Sequence, residues 1–383
     1  DPPVRRGIAL VVFAAGTLGC AGGGPGPTRP AATAAAASRA PYKAPPAGNH
    51  SIEIRVDSKA AQDLVAFLSL PQFRADQAKA ITELPAVRLA IQDSGRTMET
   101  FERDLAAAFD EEEKSAVFDL RSVRAGKARW SKLLTDLEAR RSELARLAAL
   151  RAAALLPADR PLTTRLQVFL TFGLAGLADH LVVITPGGDE VMIVDLARAL
   201  GDSEGETVEN QVERVARLIA GEAFRQAWRL YRSESPNWTR RDAKLGQLDL
   251  LFRLVAEQGP VALFHVDENF FPLSVWLKEP MKRTIAELNR FSERLVESEK
   301  EIEERIAVEA DLKRPEFAQR VAGPAGAFLC DGVIQTLGLD AFRSALAGGP
   351  TALFAAYGNA VEKSRDLIPL ADVVRERLGT VPR

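Results

Sequence analysis

Residues 218–228 read LIAGEAFRQAW. At 100° per residue, Val208, Val212, Val215, Ile219 and Glu222 fall on one helical face, which continues to Gln226 and Leu230. Ala220, Phe224, Trp228 and Tyr231 form a second apolar stripe. A helix apolar on two sides is largely buried, so a carboxylate inside it needs a partner or a raised pKa. Gly221 adds to the oddity, because an interior helical glycine costs about 1 kcal/mol against alanine. Arg225 stands one turn further on, within i,i+3 reach of Glu222. A second glutamate, Glu257, follows in LLFRLVAEQGP at an apolar helix end, and His265 lies in ALFHVDENFFP beside Asp267 and Glu268. Acidic side chains near a histidine can hold a divalent metal, so His265, Asp267 and Glu268 make one candidate set. The plainer accounts are an ordinary helix pair for Glu222 and Arg225 and a hydrogen-bonded loop residue for His265.

Composition narrows the chemistry. The chain has 383 residues, with 52 acidic and 50 basic side chains and a formal charge of −2. No field of one sign favours nucleic acid, and no nucleic-acid partner is expected. There are three histidines, His50, His180 and His265, and a conventional zinc site takes about three protein ligands, commonly histidine or cysteine. That scarcity weighs against a zinc enzyme. His180, in LADHLVV, is expected to precede a strand with no visible partner. Of the two cysteines, Cys330 in AGAFLCDGVI reads as a small buried hydrophobe rather than a nucleophile. No disulfide framework is available. Neither a Gly-x-Ser-x-Gly motif nor a phosphate-cradling loop is present, and the glycines of GPAGAFLCDG read as close helix packing.

The other cysteine, Cys20, ends an address-like segment. Arg5 and Arg6 precede the apolar stretch GIALVVFAAGTLG, a basic flank and a short core of the secretory type. TLGC followed by AGGG resembles a bacterial lipoprotein cleavage site, with Thr17 departing from the usual leucine. Residues 1–20 are therefore expected to be a lipoprotein signal, with Cys20 the lipidated residue and the membrane its partner. Residues 21–48 are dominated by Ala, Gly, Pro, Ser and Thr and cannot bury enough apolar area to offset chain entropy. They are expected to form a disordered tether. Ala21 is not an aspartate, which is consistent with an outer-membrane lipoprotein secreted across the inner membrane of a bacterial cell envelope.

The folded domain is expected over 49–383, helical to about 160 and then a sheet plus helices. SIEIRVD alternates as a strand, and Ser58 is placed to cap the next helix. Short helices should run to about 120, followed by one long helix over 125–155. RLQVFLTFG reads as a strand, and LVVITPGGDEVMIVDL as a hairpin around Pro186, Gly187 and Gly188. Ser203 and Glu206 match a capping box opening the Glu222 helix. Helices are then expected over 241–257, about 280–312, 324–337 and 350–364. The fold class is α+β: a mostly helical domain with a small sheet preceding the Glu222 helix.

In this order the segments resemble a largely uncharacterised bacterial family of zinc-dependent peptidases of the His-Glu-x-x-His type. The resemblance runs over roughly 51–363. It is carried by SIEIRVDSKAAQDLVAFL, ELPAVRLAI, LIAGEAFRQAW, AEQGPVALF and GPAGAFLCDGVIQTLGLDAFRSALAGGPTALFAAY. It implies a zincin-like domain in which two histidines grip zinc and the glutamate between them polarises water. Carried over, Glu222 matches the general base, Gly221 and Arg225 stand at the two histidine positions, and Glu257 matches the third ligand, with Gln258 interrupting the family's Glu-Gly pair. Glycine has no ligand atom and arginine is a donor-only cation. The resemblance thus implies zinc while the chain lacks its ligands, and no cofactor is expected. Arg225 is expected to pair with Glu222, Glu257 or both, an ion-pair network in place of the metal. The reading is an inactive peptidase-like envelope lipoprotein that binds a peptide or an envelope protein in its former cleft. The alternatives are an active metal-dependent peptidase using Glu222, Glu257 and His265, and a structural envelope lipoprotein.

Overall fold

The computed structural model describes residues 49–110, 118–174, 178–201, 203, 205–266 and 275–379. The segments expected to be a signal and a tether, with Cys20, lie outside these residues. In chain order the elements are β1 (Ser51–Asp57), α1 (Lys59–Leu68), α2 (Ala75–Thr82), α3 (Pro85–Asp93), α4 (Met98–Ala107), α5 (Leu120–Ala125), α6 (Lys127–Ala139), α7 (Arg141–Ala153), β2 (Thr163–Thr171), β3 (His180–Ile184), β4 (Glu190–Asp195), α8 (Leu196–Ala199) and α9 (Val208–Glu234). There follow α10 (Pro236–Thr239), α11 (Leu248–Val266), α12 (Val275–Ser298), α13 (Ile302–Leu312), α14 (Pro315–Phe317), α15 (Gly323–Leu337), α16 (Leu339–Gly348), α17 (Pro350–Lys363) and α18 (Asp372–Leu378). The fold is mostly helical α+β, with one four-stranded mixed sheet ordered β1-β2-β4-β3. β2 and β4 are parallel, and β3 and β4 are the antiparallel hairpin read from the sequence. Gly188, at φ 88°, supplies the left-handed turn residue there.

The described residues form two compact units. One gathers Arg55–Leu144 and Leu166–Val215, and the other gathers Ala47–Ile54, Ala145–Arg165 and Ala216–Arg383. In the first, the single helix expected over 125–155 is three pieces. Gly126 separates α5 from α6, and a Cβ there would come within 2.7 Å of the Trp130 indole nitrogen, so the break makes room for a buried tryptophan. Arg140 breaks the chain again between α6 and α7, its guanidinium held by Glu143 at 2.7 Å and Glu209 at 2.9 Å.

Two capping expectations also change. Ser58 occupies the N-cap position of α1 but its hydroxyl donates to Glu138 at 2.6 Å, and the Lys59 amide is taken by Asp57 at 2.8 Å. Ser203 and Glu206 do not form the capping box. Ser203 donates to the Leu200 carbonyl, Glu206 pairs with Arg214, and Thr207 accepts from the Asn210 amide at 3.3 Å as α9 begins. The local motif is overruled because both side chains have stronger partners nearby.

The second unit is built around α11 and α15. They cross at Gly259 and Gly326, where a Cβ on Gly259 would fall 2.6 Å from the Gly326 carbonyl carbon. Only hydrogen fits on either side, which is the close packing expected of the glycine-rich stretch. α11 begins at Leu248 rather than 241, after the left-handed Gly246, and runs through Pro260 to Val266. The expected helix over 280–312 is two helices. Glu299 sits at the break and is tied to the Gln247 amide at 3.1 Å and to Arg377 at 2.7 Å.

Candidate functional site

α9 carries the candidate site, and its burial explains why. Residues 219–224 are buried without interruption, including Ile219, Ala220, Gly221 and Phe224. Phe224 stacks on Phe264 of α11 at 5.1 Å between ring centres, and Trp228 stacks on Tyr231 at 5.7 Å and meets Trp238 edge-on at 4.8 Å. This aromatic seam fixes α9 against α11 and holds Glu222 in a dry place. Glu222 is 4% exposed.

The carboxylate is paired. Arg225 donates from Nε to Glu222 Oε2 at 2.8 Å and from Nη2 to Oε1 at 2.6 Å. Two parallel charge-assisted bonds are the strongest arrangement this residue pair can make. The pairing expected from the i,i+3 spacing is therefore present. Glu257 is paired differently. Its carboxylate forms an ion pair with Arg232, two turns beyond Arg225, and its backbone carbonyl accepts from the Trp228 indole at 3.1 Å. Burial pulls the Arg232 pKa below its ordinary value, opposed by the Glu257 charge. The two candidate carboxylates thus hold different arginines of α9, and Trp228 lies between those arginines in sequence.

Gly221 has a neighbour that the sequence did not announce. A Cβ at position 221 would come within 2.8 Å of His265 Cε1 and 3.3 Å of its Nδ1. The imidazole thus lies over the α9 backbone where a side chain at 221 would begin. His265 is not a loop residue but sits in the last turn of α11, next to Phe264. The signal was readable only with the antiparallel pairing of α9 and α11 in hand: Gly221 with His265, Phe224 with Phe264, Trp228 with Glu257.

These residues do not fit zinc in the manner the family resemblance implies. Position 221 offers no donor atom, and Arg225 offers only protons to a carboxylate it already holds. The set Glu222, Glu257 and His265 fares no better. Each carboxylate holds a guanidinium, and among the described residues no three His, Cys, Asp or Glu side chains are grouped closely enough to hold a metal. Asp267 and Glu268 lie outside the described residues. What the site can present to a ligand is the exposed His265 imidazole and the part-exposed guanidinium groups of Arg225 and Arg232; the indoles are buried beneath them.

The remaining candidates resolve simply. Cys330 is buried in α15 and burial pushes its thiol pKa well up, which suits a core residue and not a nucleophile. The next residue, Asp331, is also buried and pairs with Lys278 at 3.3 Å, an interaction the sequence reading missed. His180 begins β3 instead of preceding it, and it has a partner, Asp179, at 2.6 Å. No helix among the described residues is long and apolar enough to cross a membrane. No family model, curated protein or solved structure matches this chain.

Proposed function

We propose that this chain is a peptidase-like binding protein of the bacterial cell envelope, in which an arginine–glutamate pair has replaced a metal centre. The observation that carries the reading is the two-point grip of Arg225 on the buried Glu222 carboxylate. Two carboxylates brought to one region need positive charge to offset their repulsion and desolvation, and here guanidinium groups supply what a divalent ion would. In this reading a chain of zinc-peptidase ancestry has lost hydrolysis and kept the surface beside α9 for an extended peptide or an envelope protein. Lipidation at Cys20 and the following tether would hold the domain near the outer membrane.

Fluorescein-labelled casein tests the reading, followed by polarisation for binding and by fluorescence release for cleavage. Saturable binding without cleavage is expected, weakened when His265→Ala removes the exposed ring that lies over Gly221. Cleavage that Glu222→Gln abolishes would favour the active-peptidase alternative. Absence of binding would favour a purely structural envelope role.

A further inference from the structure

His50 stands immediately before β1 and takes no part in the α9 site. Both of its ring nitrogens are buried and neither makes a well-formed hydrogen bond, the Pro157 backbone being the one group near enough for a poorly aligned one. The Pro157 backbone, Asp159 and Arg343 are its polar neighbours. The two charged neighbours are held by other partners. The Asp159 carboxylate is occupied by the Tyr231 hydroxyl, at 3.0 and 3.1 Å to its two oxygens. Arg343 is buried and donates to the Ala154 carbonyl from Nε at 3.0 Å and Nη2 at 2.6 Å, with Asp340 at 3.6 Å on its outer edge. Arg160 lies over the Tyr231 ring at 4.4 Å, so the surrounding cluster holds two guanidinium groups.

This setting favours the neutral imidazole over the charged one. Burial is the main force pulling its pKa below the ordinary value, the Arg343 cation adds to it, and Asp159 and the Pro157 backbone oppose it. The chain leaves this cluster directly into β1. Its first residue, Ser51, donates its amide to the Leu162 carbonyl at 2.8 Å, and Glu53 pairs with Arg165 at 2.8 Å.

We propose that His50 is an acid-sensitive latch on the start of β1. Neutral, the ring stays packed beside Pro157 and Arg343. When it takes a proton from solvent it is expelled from that cluster, and residues 50–54 loosen with it. The sign follows from linkage. The folded state resists a proton that the unfolded chain accepts near the ordinary value of about 6.5, so the contribution is complete above that value and is lost as pH falls below it.

The chain's three histidines make the test direct. Imidazole resonances of the full-length protein are titrated by NMR and assigned with single His→Gln variants. Hydrogen exchange of the peptide covering 49–57 is measured at about pH 7.5 and about pH 5.5, corrected for intrinsic rates. The expected result is that His50 titrates below the ordinary imidazole value and that exchange in this peptide rises several-fold at the lower pH, while other strands are unaffected. In His50→Gln the rise should disappear. A His50 that titrates at or above the ordinary value overturns the proposal. So does a low value with unchanged exchange, which needs no variant to fold.

Discussion

Arg225 clasps the carboxylate of Glu222 with two hydrogen bonds, of 2.8 and 2.6 Å, inside a helix that is buried on both sides at that level. A lone charge there would be intolerable, and the pair makes it tolerable without making it stabilising in itself.

Removing one partner should therefore hurt more than removing both. Arg225→Ala is expected to destabilise by about 2–3 kcal/mol, somewhat below the usual figure for breaking a buried pair because 27% of the Arg225 side chain is exposed. The double variant Glu222→Leu with Arg225→Met should recover most of that loss. Urea unfolding of the singles and the double measures it. Additive losses would mean that the two residues are not coupled.

Gly221 and His265 should be coupled as well. In the native background Gly221→Ala sets a helix-propensity gain of about 1 kcal/mol against displacement of the imidazole. With His265→Ala the displacement vanishes. Gly221→Ala is expected to be more favourable in that background by at least about 1 kcal/mol. Thermal denaturation of the four proteins reads the cycle, and equal effects in both backgrounds would contradict the contact.

Gly259 and Gly326 face backbone rather than a movable ring. Gly326→Ala would place a methyl 2.5 Å from Gly259 Cα and from the Val255 carbonyl oxygen. Overpacking of this kind costs roughly 1–3 kcal/mol or more, and no single side-chain truncation nearby should rescue it. A neutral Gly326→Ala in chemical denaturation would show that the helices can separate freely.

Burial raises the Cys330 pKa, so at mildly alkaline pH its thiolate is scarcer than that of an exposed thiol. Iodoacetamide should leave the Cys330 peptide unlabelled in the native protein at about pH 8 and label it quickly in urea. Mass spectrometry of the tryptic peptide decides. Rapid native labelling would mean that α15 opens.

The sequence was most legible where one helix face determined the outcome. The two-sided stripe on α9, the Glu222–Arg225 spacing, the β3–β4 hairpin and the glycine packing on α15 all follow from periodicity or from a local steric demand. It was least legible where a side chain had a choice of partners. Glu257 went to Arg232 because the pairing of α9 with α11 puts it two turns from Arg225. Ser58 and Ser203 sat where caps are expected and bonded elsewhere. Helix breaks at Gly126, Arg140 and Glu299 depend on Trp130, Glu209 and Arg377, which are distant or indistinct in a one-dimensional reading. The partner of Gly221 was hidden for the same reason, since nothing in LIAGEAFRQAW points to His265.

The zinc content of the protein tests the central claim most directly. The purified full-length chain is exposed to excess zinc, dialysed and measured by plasma mass spectrometry, beside Glu222→Gln. If guanidinium groups occupy the place of the metal, zinc should be far below one ion per chain in both proteins. One zinc per chain in the native protein, lost in Glu222→Gln, would contradict the account.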